Sequence, residues 1–183
     1  MAHEVFFISD THWFHKRILD FCSDTRDAES IADMNEKMID RWNAKISLHD
    51  EIYHLGDFSF GTREETESVL KRLKGRIHLI KGNHDKSLET RSNLLAYFNS
   101  VQDYKRLHIG DHRIVMMHFP IESWDKMKHG TIHLHGHLHG DDHHECKIIK
   151  NRMDVGVDCR PNGDLSPWEF SEILEYLKNR DSN

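Results

Sequence analysis

The stretch Ile80-Lys81-Gly82-Asn83-His84-Asp85 decides how the chain is read. The apolar run Ile77 to Ile80 before it predicts a short buried strand that stops at a glycine. Three polar side chains follow at once, each able to bind a metal, hold a phosphate oxygen or move a proton. In open α/β sheets ligands gather beyond the carboxyl ends of strands, and a glycine there lets the backbone turn sharply. Gly-Asn-His-Asp by itself also fits an ordinary polar turn. The wider pattern decides.

Upstream, Glu4 to Ser9 is a near-continuous apolar run, the pattern of a central strand, and it ends in Asp10-Thr11-His12. Glu51 to Leu55 makes a second strand ending in Gly56-Asp57. Between them, Ile31, Met34, Met38, Trp42 and Ile46 recur at helical spacing and read as core packing. A short helix is expected within His15–Phe21. Thr62-Arg63-Glu64-Glu65 is a capping box opening a helix that turns Val69, Leu70 and Leu73 inward and ends at Gly75. Strands alternating with helices predict a parallel sheet with crossovers.

Downstream the pattern changes. Ser87 to Phe98 reads as helical, and Val101–His108 and Arg113–Met117 as strands joined by a hairpin at Ile109-Gly110-Asp111-His112. The second of these ends in His118, and the strand Thr131–His135 ends in Gly136-His137-Leu138-His139-Gly140. Cys146–Ile149 and Met153–Val157 read as a further strand pair. Ser166-Pro167-Trp168-Glu169 looks like the N-terminus of a closing helix that buries Phe170, Ile173, Leu174 and Leu177.

With 183 residues, 37% hydrophobic and 31% charged, the chain is expected to form one domain over 1–183 with a core that needs no disulfides. No apolar run reaches membrane-spanning length, and the N-terminus lacks the regions of a signal peptide, so no membrane partner is expected. Three cysteines without Cys-x-x-Cys spacing argue for a reducing compartment, the cytoplasm, and against a thiolate zinc site. A net charge of −6 gives no extended nucleic-acid surface. Seventeen histidines are scattered through the chain, and imidazole is a common metal ligand.

Five strand ends thus carry Asp10/His12, Asp57, Asn83/His84, His118 and His137/His139. Each alone has an ordinary reading as a turn, cap or surface residue. Together they form an oxygen and imidazole set without cysteine, which suits Mn, Fe, Zn or Ni. With His84 set aside, seven candidate ligands exceed the needs of one metal, and two metals about 3.5–4 Å apart sharing a carboxylate suit phosphoryl transfer.

Asp10-x-His12, Gly56-Asp57, Gly82-Asn83-His84-Asp85, His118 and Gly136-His137-x-His139 resemble the five-motif signature of the calcineurin-like metallophosphoesterases, in order from Asp10 to His139. Asp154-Val155-Gly156-Val157-Asp158 resembles the late strand of small single-domain bacterial and phage-type members. The resemblance implies an α/β fold, a four-layered α/β/β/α sandwich of two mixed sheets flanked by helices. It implies two divalent ions, Mn²⁺ first, with Fe, Ni or Zn as alternatives. Asp10, His12 and His139 would hold one; Asn83, His118 and His137 the other; Asp57 would bridge them with a water or hydroxide. In-line attack of that hydroxide on phosphorus is then implied, with His84 as general acid and Asp85 orienting the His84 imidazole. Asn83 and His84 would also touch substrate, as would His15.

The resemblance departs from the protein phosphatases of the superfamily. Gly56-Asp57-Phe58-Ser59-Phe60-Gly61 has no arginine, and residue 85 is Asp rather than Glu. A phosphodiesterase acting on a small nucleotide-like or other organic phosphodiester is therefore expected. A phosphomonoesterase on a small metabolite is the alternative, and a non-catalytic protein-interaction scaffold of the same fold a more distant one. Asp141-Asp142-His143-His144 reads as a solvated hairpin tip, His133 and His135 as core histidines, and Arg17, Lys81 and Arg160 as surface cations. Phe58, Phe60, Trp124 and Trp168 are candidates for the apolar surface of a homodimer.

Overall fold

In the computed structural model, which describes residues 3–90, 92–140 and 149–181, the apolar runs ending in Asp10, Asp57 and Asn83 lie side by side. β1 (Val5–Ile8), β2 (Glu51–His54), β3 (Arg76–Ile80) and β4 (Ser100–Gln102) are parallel neighbours in the order β4-β3-β2-β1. The connecting segments carry α1 (Ile18–Phe21), α2 (Ile31–Lys45), α3 (Arg63–Leu70), α4 (Lys86–Glu89) and α5 (Ser92–Leu95). Parallel neighbours need such long crossovers. The capping box at Thr62 and Glu65 forms as the sequence predicts.

Side chains alternate across this sheet, so its two faces feed two cores. Phe6, Ile8, Ile52 and Leu79 pack with Met34, Met38 and Trp42 of α2 and Val69 of α3. Phe7, Tyr53, Leu55 and Ile80 face a second sheet through Ile114, Met116, Leu134 and Met153. That sheet holds β5 (Tyr104–Ile109), β6 (His112–Met117), β7 (Ile132–His135) and β8 (Arg152–Asp154) in chain order. β5 and β6 form the predicted antiparallel hairpin; β6, β7 and β8 are parallel. The result is two mixed sheets flanked by helices, as the resemblance implies. A single bridge, Ser9 to Gly156, ties the exit of β8 to that of β1.

Several local expectations are corrected. The single strand Val101–His108 breaks at Asp103, with β4 in the first sheet and β5 in the second. Trp168–Glu169 is not the start of a helix but β9, antiparallel on Phe6 and Phe7, and α6 (Phe170–Asp181) begins after it. The open edge of β1 supplies ladder bonds there, and Trp168 is buried. Glu172 then caps the shifted helix by accepting from the Glu169 N–H at 2.7 Å. From α6, Ile173 and Leu177 enter the core between the sheets. α3 ends at Leu70, so Gly75 is not its C′ residue; it turns at φ +92° against Ile52, before β3.

Of the four aromatic residues expected at a dimer surface, Phe58, Trp124 and Trp168 are buried and Phe60 alone is exposed. Arg160 is no solvated surface cation: it lies over the Trp168 ring at 4.2 Å and pairs with Asp164 and Glu172. The Asp141–His144 tip and the strand predicted from Cys146, save Ile149, lie outside the described residues.

Candidate metal centre

The carboxyl ends of β1, β2, β3, β6 and β7 meet along one edge. Past β1 and β2 the backbones stay paired, Asp10 N–H to Gly56 O at 3.0 Å and His12 N–H to Asp57 O at 3.1 Å. Asp10, His12, Asp57, His137 and His139 all take left-handed backbone angles, φ between 49° and 76°. Such angles in non-glycine residues cost about 1–3 kcal/mol each and persist only where surroundings enforce them. Here they turn successive side chains toward one point. Two glycines give the room. A Cβ on Gly82 would collide with Asp57, and one on Gly136 with Ser9 and Asp10.

Two ligand groups result among the described residues, Asp10–His12–His139 and Asp10–Asp57–His118. In the first, His12 Nε2 faces His139 Nε2 at 3.1 Å, with Asp10 Oδ1 3.8 and 3.9 Å from them. Two imidazole nitrogens on one transition metal at ~2.1 Å sit roughly 3 Å apart. Asp10 Oδ1 is buried and has no hydrogen-bond partner, the condition a cation would relieve.

In the second group, His118 Nδ1 donates to Leu55 O at 2.7 Å, which leaves Nε2 without a proton when the ring is neutral. That lone pair faces Asn83 Oδ1 at 3.0 Å and Asp57 Oδ2 at 3.6 Å. With the ring in that form three acceptors face one another, an arrangement that a cation between them would satisfy. His137 joins neither group; its ring packs on Phe119 and His118, centroids 4.8 and 5.2 Å away.

Behind the first group stands a buried chain of charges that sequence reading did not single out. Asp158 accepts from His139 Nδ1 at 2.7 Å and from Arg26 Nε and Nη2 at 2.8 and 2.6 Å. Arg26 also donates to the carbonyls of Asp10 and Thr11. Burial opposes charge on His139, but the Asp158 hydrogen bond, Cys22 and Asp10 outweigh it and raise the imidazole to about 10. Burial first, then the Asp154 carboxylate, raises Asp10 to about 8, whereas burial lowers His12 far below the usual histidine range. A bound divalent ion reverses that balance. Cys22 Sγ lies 3.7 Å from His139 Nδ1, the nitrogen that Asp158 already holds, so the Cys22–His139–Asp158 grouping is a hydrogen-bonded support.

Asp85 does not reach the His84 imidazole. Its buried carboxylate instead accepts the backbone N–H groups of Asp57, Phe58 and Gly82 at 2.8–2.9 Å, because the turn after β3 points it inward under the Asp57 loop. His84 is half exposed, with Nε2 4.0 Å from Asp57 Oδ2 and its N–H on Asp57 Oδ1. His15 lies beside His12, ring centroids 5.7 Å apart. His133 and His135 are buried as expected, bonded to Val115 O and Gly136 O. His54, also buried, bonds Thr11 Oγ1 and accepts the Gly56 N–H beneath the site.

No protein-family model matches the chain. The uncharacterised protein MJ1445 of Methanocaldococcus jannaschii is 28% identical over 157 residues, which cover 84% of this chain and 80% of that protein. The AQ665 protein of unknown function from Aquifex aeolicus has a similar solved structure, with TM-score 0.73 at 24% identity, covering 96% of this chain and 100% of that one. YfcE, a phosphoesterase from E. coli, matches with TM-score 0.49 at 14% identity over 84% of this chain and 78% of its own. The ligand-type motifs thus stand at five strand ends of two mixed sheets, and the fold is that of the AQ665 structure. No helix of the described residues is long and apolar enough to cross a membrane.

Proposed function

We propose that the chain, as one domain, is a dinuclear metal-dependent phosphoesterase that hydrolyses small phosphodiesters in preference to monoesters. The observation that carries this reading is the convergence of ligand-type atoms: His118 Nε2, Asn83 Oδ1 and Asp57 Oδ2 on one side, the unpartnered Asp10 Oδ1 with His12 and His139 on the other. Divalent ions held there, Mn²⁺ foremost, would supply an activated water and offset charge on the phosphoryl oxygens. Asp57, whose Oδ2 lies 3.9 Å from His12 Nε2 and 3.6 Å from His118 Nε2, would be shared by the two ions, and His137 would join the second set. Asp85 fixes the loop that presents Asp57. His84, half exposed at the mouth, donates the proton to the departing alkoxide.

Preference for diesters is supported by charge. The cavity of about 600 Å³ over the site is lined by His12, His84 and His139 among others, and its described lining includes no Lys or Arg. A monoester dianion meets no Lys or Arg there, whereas a diester carries one charge less. Matched chromogenic diester and monoester substrates, offered to metal-free protein resupplied with Mn²⁺, test the reading. Faster diester cleavage, absent without metal, is expected. A monoester preference would replace the phosphodiesterase by a phosphatase, and bound metal without turnover on either would overturn the enzyme.

A further inference from the structure

The cavity above the candidate metal centre has one wall made of rings. Phe60 follows β2 and is pinned by its N–H to Trp13 O at 2.9 Å, yet its side chain stays 41% exposed. Its ring stands edge-on to His15, centroids 4.3 Å apart at 89°, and His15 continues to Phe21 at 6.0 Å. Phe21, on α1, is 61% exposed, an unusual solvent cost for two large apolar rings beside one cavity. Leu138 and Ile18 add further apolar lining. His84 opens onto this same cavity, its ring 4.9 Å from that of Phe60. A general acid must stand next to the oxygen it protonates, so the group that leaves lies on the Phe60 side.

We propose that the Phe60–His15–Phe21 wall is the leaving-group subsite, and that it selects phosphodiesters whose departing alcohol carries a planar, uncharged aromatic ring. This rests on the phosphoesterase reading and adds to it the substrate class. Edge and face contacts between rings favour a flat aromatic group over an alkyl chain of equal size. Without a Lys or Arg in the described lining, a second phosphate on that arm meets no fixed positive charge. A nucleoside base and a simple aryl group share this chemistry.

The test measures binding of stable phosphonates, each as its monomethyl ester and so a monoanion like a diester, to the Mn²⁺-loaded protein by calorimetry. Phenylphosphonate is expected to bind roughly tenfold tighter than butylphosphonate, and the ratio to fall toward one in Phe60→Ala. Phe21→Ala, at a more exposed position, should lower the ratio in the same direction. Adenosine 5′-phosphonate beside phenylphosphonate then distinguishes a base from an aryl group as the preferred occupant, and tighter binding of either than of butylphosphonate supports the subsite. Phenyl and adenosyl ligands both binding no tighter than butyl, or a preference untouched by both substitutions, would overturn the subsite and leave the metal reading standing. Failure of every phosphonate, methylphosphonate included, to bind the metal-loaded protein would overturn the phosphoester reading itself.

Discussion

His139 and His118 both present Nε2 to the candidate metal centre, but they are held from behind in different ways. His118 donates Nδ1–H to a backbone carbonyl, Leu55 O, at the end of β2. His139 donates to a buried carboxylate, Asp158, which is itself clasped by buried Arg26. A carbonyl fixes the tautomer and little else. A carboxylate also raises the basicity of the ring and makes its grip on a metal depend on a distant ion pair. One half of the site is therefore supported by the sheet, and the other by three side chains drawn from separate loops.

The largest expected effect erases the difference between the halves. Asp57→Asn removes the charge both share, and metal content and activity should fall together by at least ~10²-fold, read by metal analysis beside turnover; retained metal would show that Asp57 does not bridge. His84→Ala belongs to neither half. Both metals should stay while turnover drops ~10²–10⁴-fold, most for poor leaving groups, and loss of metal would remove His84 from the role of acid.

Asp158→Asn separates the halves directly. Metal affinity on the His139 side should weaken ~10–100-fold with the His118 side retained, so a titration should pass from two tight sites to one. Uniform weakening of both would mean that the two supports are not independent. Because buried Arg26 then keeps an incompletely compensated charge, stability should fall as well, by up to about 3–5 kcal/mol for a fully broken pair.

The smallest effect concerns histidines away from the metal ligand positions. Burial lowers His54 and His133 from 6.5 to about 3. Above pH 6.5 both folded and unfolded chains hold these rings neutral. Between 6.5 and 3 only the unfolded chain takes up the protons, so stability falls as pH falls, by ~1.4 kcal/mol per pH unit for each ring. Urea unfolding at pH 7 and pH 5 measures this, and His133→Gln should flatten the slope. An unchanged midpoint between the two pH values would contradict it.

The candidate ligand motifs could be picked out because each sits at the end of an apolar run, and a parallel strand delivers its last residue to a known edge. Arg26, Asp158 and His54 were not. Arg26 lies in a polar stretch that reads as a loop, and its carboxylate partner is 132 residues away. A buried salt bridge leaves no periodic mark in a sequence. Asp85 was legible as a member of its motif, but whether its carboxylate would turn to a neighbouring imidazole or to three backbone N–H groups depends on how the Asp57 loop folds under it.

The same division runs through the fold. Apolar periodicity determined that β1, β2 and β3 alternate with helices, since burying a face requires that spacing whatever the neighbours are. It left open where one sheet ends and the next begins. Val101–His108 carries a continuous strand pattern, and only the competition of two sheet edges for its backbone divides it at Asp103. Trp168–Glu169 carries a helix-capping pattern, and only the open edge of β1 makes it a strand. Local chemistry is written in neighbouring residues; which backbone groups find one another across the molecule is decided by tertiary packing, because an unpaired edge stabilises whatever segment can reach it.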